Sequence, residues 1–179
     1  MTIIATAGRR IDPPNASPAR FPLANRDAVR ERVRAALLEY GATGIVASGA
    51  CGADLLAQDV VRELQLPHRR MILPFTPDAF RDSSVTDRPG GWGPLFDDLL
   101  AELTARGDVV ILAQDPGGDA AYAAVNEVIL AEADRIAGAS VPLVLLIWDG
   151  ISRGDGDLTA DLGIKARERS WPIAEVLTT

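Results

Sequence analysis

The chain has 179 residues, 47% hydrophobic and 24% charged, with a formal net charge of −7 at pH 7. These values describe one folded domain, 1–179, with a substantial core, and the acidic balance argues against a nucleic-acid backbone as main partner. Cys51 and His68 are the only residues of their types, which excludes an internal disulfide and a thiolate–imidazole zinc site.

No apolar run approaches membrane-spanning length, and Met1-Thr2-Ile3-Ile4-Ala5 lacks the pattern of a signal peptide. A cytoplasmic location with no membrane partner is therefore the expectation. Thr2 to Ala7 reads as a buried strand that ends in Gly8-Arg9-Arg10. A long proline-bearing loop follows, Asp12 to Pro22, and then a helix capped by Asn25 or Asp27 and running to about Tyr40. Gly44 to Ser48 is the second strand, and the turn Ser48-Gly49-Ala50-Cys51-Gly52-Ala53-Asp54 leads into a helix reaching about Leu64. A strand–turn–helix passage of this kind aims backbone N–H groups and a helix N-terminus at one small volume, suited to an anion or a sugar phosphate.

Arg69 to Phe75 is the third strand, and Thr76 to Gly93 reads as an irregular excursion able to lie over a pocket, with Arg81 or Arg88 toward the ligand. A helix follows over Pro94 to Arg106 and a fourth strand over Asp108 to Ala113. The second glycine-rich turn is Gln114-Asp115-Pro116-Gly117-Gly118-Asp119, followed by an alanine-rich helix to about Ala137. Val141 to Trp148 is a nearly unbroken apolar run, the mark of a central parallel strand covered on both faces. Trp148-Asp149-Gly150 opens a loop to Asp157, Leu158 to Arg169 is a last helix, and Trp171-Pro172-Ile173 is a short edge piece or docked tail.

This alternation predicts an α/β fold, a Rossmann-like three-layer sandwich with a mainly parallel, doubly wound sheet of about five strands. Ligands of such sheets bind beyond the carboxyl ends of the strands, where the winding reverses. The candidate binding residues therefore come from the segments that leave those ends: Gly8, Arg9, Ser48, Gly49, Gly52, Ala53, Asp54, Asp115, Gly117, Gly118, Asp119, Asn126, Trp148 and Asp149. Arg9 can clamp a phosphate or pair with the acidic loops, and Asp54 can cap its helix or accept ribose hydroxyls. Asn126 either looks toward the site or holds a buried loop. Glu127, Asp54 and Asp149 are the candidate catalytic carboxylates, with Glu127 placed as base if its helix turns it inward.

With Gly8-Arg9-Arg10, the Gly49-Ala50-Cys51-Gly52-Ala53-Asp54 turn and Pro116-Gly117-Gly118 in place, the sequence resembles the SLOG superfamily of Rossmann-like domains. That group includes the DNA-processing protein A family, the lysine-decarboxylase-like phosphoribohydrolases and small bacterial nucleotide-sensing proteins. Leu73-Pro74-Phe75 and Trp148-Asp149-Gly150 are similar to segments of domains found beside bacterial signalling modules. The resemblance implies binding or sensing of a nucleotide or nucleotide-derived ligand, without a further cofactor or metal. It leaves open a homodimer or a signalling-protein partner. The alternative is a hydrolase cleaving an N-glycosidic or ribosyl–phosphate bond. The phosphoribohydrolases continue their second turn as Pro-Gly-Gly-x-Gly-Thr, with a catalytic glutamate close behind and an arginine in the helix before. Here Asp119-Ala120-Ala121-Tyr122 follows Pro116-Gly117-Gly118 and Glu127 lies further along, so the binding turn carries over and the catalytic pair does not.

Overall fold

The computed structural model describes residues 1–116 and 119–179, and for Asp119 the backbone alone. Its strands are β1 (Thr2–Gly8), β2 (Ala42–Ala47), β3 (His68–Leu73), β4 (Val109–Ile111), β5 (Leu143–Trp148) and β6 (Ile173–Leu177). The helices are α1 (Arg26–Glu39), α2 (Ala53–Glu63), α3 (Pro77–Ser84), α4 (Gly93–Ala105), α5 (Asp119–Ala137) and α6 (Leu158–Glu168). The strands form one sheet in the order β4-β3-β2-β1-β5-β6, and each neighbouring pair runs parallel. The fold is the expected Rossmann-like sandwich, with six strands rather than about five.

Side chains of a strand alternate between faces, so consecutive residues of β1 serve two different cores. Ile4 packs with Ile45, Leu145, Val33 and Leu56 on the face of α1, α2 and α4. Ile3 and Ala5 pack with Val46, Val144, Leu146, Ile129 and Leu162 on the face of α5 and α6. The unbroken apolar run in β5 follows from this, since all six of its residues are buried.

From β1 the chain steps outward through β2, β3 and β4, and it then returns to place β5 and β6 on the other flank of β1. The winding reverses between β1 and β5. Their register, Ile4 opposite Leu143 through Gly8 opposite Ile147, brings Arg9 and Trp148-Asp149 to one edge of the sheet. The Arg9 N–H donates to the Ile147 carbonyl at 2.8 Å, continuing the ladder one residue past β1.

Two elements depart from the sequence reading. The segment 76–93 contains α3, with Pro77 in its first turn and Phe80 packed 6.0 Å from the rings of Phe75 and Phe96. The expected edge piece near Ile173 is a full strand, β6, in which buried Ala174 and Val176 alternate with exposed Glu175 and Leu177. No helix among the described residues is long and apolar enough to cross a membrane.

Candidate functional site

A cavity of about 620 Å³ lies at the carboxyl edge of the sheet where the winding reverses. That size falls within the range of small-molecule sites. Its wall includes Thr6 to Asp12 from β1 and the following loop, Ser48, Ala50 and Asp54 from the β2–α2 turn, and Phe80 and Ser84 from α3. Tyr122, Asn126 and Ile129 of α5 enter from the other face of the sheet, and Arg153 and Thr159 from the β5–α6 segment. The proline-rich loop contributes Pro13, Ser17, Pro18 and Arg20.

The glycine turn after β2 is built for contact between two loops. At Gly52, where φ is +97°, an added Cβ would lie 2.7 Å from the Arg9 carbonyl oxygen and 2.8 Å from the Ile11 nitrogen. At Gly8 it would meet the Ala53 Cβ at 2.3 Å. These two positions let α2 start directly against the end of β1. Two backbone donors of the turn are engaged by neighbouring loops: Ala53 N–H donates to the Arg9 carbonyl at 3.1 Å and Cys51 N–H to the Ser84 carbonyl at 3.0 Å. The close backbone approach expected for a ligand is thus made by the β1 loop. Gly49 lies beneath, against Met71 and Phe96. The Cys51 thiol is buried and held above its ordinary value by that burial, so it is no thiolate nucleophile.

Asp54 is the feature that sets this turn apart. It is buried on the cavity wall, its Oδ2 accepts only a long 3.4 Å bond from Ala50 N–H, and its Oδ1 has no partner among the described residues. Burial pushes this carboxyl up to about 7, against the opposing pull of Ala50 N–H and of Arg10. A carboxyl with a free oxygen at a cavity can accept from a ligand hydroxyl or amine when ionised, or donate when protonated.

Arg9 is in the opposite condition. Its Nε donates to Asp149 at 2.8 Å, Nη1 to Asp157 at 2.7 Å and Nη2 to the Ile151 carbonyl at 2.6 Å, while its guanidinium lies 5.5 Å from the Trp148 ring centroid. Burial works against its charge, yet the two carboxylates raise its pKa. Of the two roles open to Arg9, the pairing with acidic loops is the one seen. Arg20 adds a second bond to Asp149, 2.6 Å long. Asp157 also caps α6, accepting from the backbone of Thr159 and Ala160. Burial opposes its ionisation, but the bonds from Arg9 and from the backbone of Arg153 and Ala160 hold its carboxyl down to about 2.

Of the three candidate catalytic carboxylates, Asp54 alone lines the cavity. Asp149 is bound by Arg9 and Arg20 behind the wall. Glu127 points outward from α5 to Lys165 at 2.6 Å and Arg169 at 3.1 Å, and the hydrogen bond from Lys165 lowers its pKa although burial opposes this. The geometry therefore corrects the reading of Glu127 as an inward-facing base, because α5 turns it to the exposed side. Asn126, one residue earlier, does face the cavity. Its amide donates to the Leu158 carbonyl at 2.9 Å and to Asp161 at 2.8 Å, tying α5 to the start of α6.

Ser48, Gly8 and Arg9 line the cavity, whereas Gly49, Gly52, Ala53 and Trp148 support it from behind. Asp115 is exposed beyond the edge strand β4 and away from the wall. Gly117, Gly118 and the Asp119 side chain lie outside the described residues. The excursion after β3 delivers Arg88 to the wall, while Arg81 is held on the surface by Asp97 at 2.8 and 2.9 Å.

Several wall residues carried no signal of their own. Arg10 is held by Asp87 with its Nε unpaired, and Ser84 and Tyr122 share a 3.1 Å hydrogen bond across the cavity wall. Arg10 could have been singled out from its place beside Arg9. Ser84 and Tyr122 depend on how α3 and α5 pack, which no local pattern reveals. No group of three or more metal-ligating side chains is found among the described residues.

The chain matches no protein-family model and no curated protein.

Proposed function

We propose that the protein binds or senses a nucleotide or nucleotide-derived ligand in the β1/β5 cavity, as a domain of the SLOG type. The observation that carries this reading is Asp54, a buried carboxyl with an unpaired oxygen on the wall of a cavity at the topological switch point. Arg10, Arg88 and Arg153 on the same wall supply positive charge to a chain whose net charge is −7. The local field, not the total, governs the encounter with an anion. A ribose or amine at Asp54 and a phosphate toward the arginines would satisfy both ends of one small molecule. The glycine turn serves this design by holding Asp54 on the wall, with its Cys51 and Ala53 N–H groups given to neighbouring loops.

Calorimetry against 5′-mononucleotides, cyclic nucleotides and NAD-type compounds tests the reading. At least one is expected to bind more tightly than millimolar, and Asp54→Asn should weaken it by about tenfold or more, the worth of a hydrogen bond to a charged group. No binding across the panel would overturn it.

A second reading, cleavage of an N-glycosidic or ribosyl–phosphate bond, is supported by the raised pKa of Asp54. A carboxyl poised near neutral pH in a cavity suits general acid–base work. Release of free base from AMP, GMP or NAD, lost in Asp54→Asn, separates this reading from binding alone.

A further inference from the structure

A second cavity, of about 330 Å³, opens at the opposite edge of the sheet, where the C-terminal ends of α2 and α4 flank the start of β3. Val61, Leu66 and Pro67 supply its apolar wall, and Arg62, Arg69, Arg106 and Glu102 its charged one. Arg62, in the last turn of α2, and Arg106, at the C-cap of α4, have an ordinary explanation, since cations at a helix C-terminus offset its macrodipole and bond free carbonyls. Arg106 Nη2 donates to the Pro67 carbonyl at 2.9 Å, and each of the two also holds an aspartate, Asp59 for Arg62 and Asp108 for Arg106.

Arg69 has no such explanation. It rises from a strand, is 3% exposed, and uses Nη1 to hold Glu102. Its Nε and Nη2 are buried and find no hydrogen-bond partner among the described residues. Those two nitrogens form the side-on fork of a guanidinium, whose parallel N–H bonds match two oxygens of a carboxylate or phosphate. Burial lowers the pKa of Arg69, and Arg106 and Arg62 lower it further, while Glu102 compensates only in part. A buried guanidinium with two unmade hydrogen bonds is stabilised by an added anion that accepts them.

We propose that Arg69, flanked by Arg62 and Arg106, forms a second binding site for a small oxyanion of the phosphate type at the amino edge of β3. The anion accepts both bonds of the Arg69 fork, with Glu102 holding the other side of the guanidinium in place. Glu102 also repels the incoming charge, so it orients Arg69 at some expense in affinity. The site stands independently of any ligand in the β1/β5 cavity, because all of β3 separates the two edges.

Nitrogen-15 spectra of the arginine side chains, titrated with inorganic phosphate against chloride at equal ionic strength, test the proposal. The Arg69 Hε–Nε signal, assigned by its loss in Arg69→Lys, is expected to shift saturably with phosphate and not with chloride. Asp54→Asn should leave that titration unchanged, and Arg106→Gln should weaken it several-fold. Glu102→Gln, a variant at a half-exposed position that does not depend on replacing Arg69, should tighten it several-fold. A phosphate shift that never saturates, that chloride reproduces, or that vanishes with Asp54→Asn would overturn the site. Failure of the nucleotide panel, by contrast, would leave this result untouched.

Discussion

Arg9 and Asp54 are both buried, both follow central strands that lie side by side, and both line the same cavity. They differ in what surrounds them. Arg9 is matched by two carboxylates and a carbonyl, all on the segment after β5, so its charge is used to lock that segment across the switch point. Asp54 has no cation bonded to it, and an oxygen is left free. One buried charge is fully compensated and serves the architecture. The other is disfavoured in its charged form, which is relieved by taking up a proton or by a hydrogen-bond donor from outside.

Removing the compensated charge should be the more damaging change. Arg9→Met leaves Asp157 buried without its main partner, and breaking a buried pair in this way costs about 3–5 kcal/mol. Urea unfolding at neutral pH measures it. A loss below about 1 kcal/mol would mean that Arg9 is not structural, because exposed pairs have that value.

Asp54→Asn should act in the opposite direction. Folding raises this carboxyl from 3.8 to about 7, so the folded state keeps a proton that the unfolded state releases. The stability from this group is fully present below about pH 4 and is lost as pH rises through 7. Above about pH 8 the variant should therefore exceed the wild type by on the order of 2–4 kcal/mol, and the gap should close toward about pH 4. Paired melts across this range give the answer, and a gap independent of pH would remove Asp54 from its special position.

The smallest effect is expected at Glu127. Its pairs with Lys165 and Arg169 are surface contacts, so Glu127→Gln should change stability by about 1 kcal/mol or less. Binding of any ligand found by calorimetry should be unaffected. A large loss of binding with stability intact would show that a carboxylate outside the cavity still governs it.

The sheet was legible because its pattern is local. A strand buried on both faces must read as a continuous apolar run, as Leu143–Trp148 does, and alternation with helices implies a parallel sheet. The strand order that sets the switch point between β1 and β5 is read only from the structure. Strand β6 was only half legible, since an edge strand is short and its period of two rests here on only two buried residues, Ala174 and Val176. The helix α3 lay hidden among aspartates and serines because one apolar residue, Phe80, anchors its buried side.

In the site, the residue types were legible and their partners were not. Asp54 stood out by its turn, whereas the engagement of Arg9 by Asp157 spans 148 positions and leaves no local trace. Glu127 and Asn126 are adjacent in sequence, and a single step of 100° around a helix sends one to solvent and the other to the cavity.

The proline-rich loop that roofs the cavity is fastened from far along the chain: Thr178 Oγ1 donates to the Arg20 carbonyl, and Asn25 donates to the Thr178 carbonyl at 2.9 Å. The loop and its latch at Thr178 are 158 positions apart in the chain. These bonds depend on β6 lying beside β5, whose Trp148 carbonyl accepts from the Thr178 N–H at 2.9 Å. Closing so long a span costs chain entropy before the contacts that reward it form. This wall of the cavity is therefore coupled to the packing of an edge strand on the far side of β5.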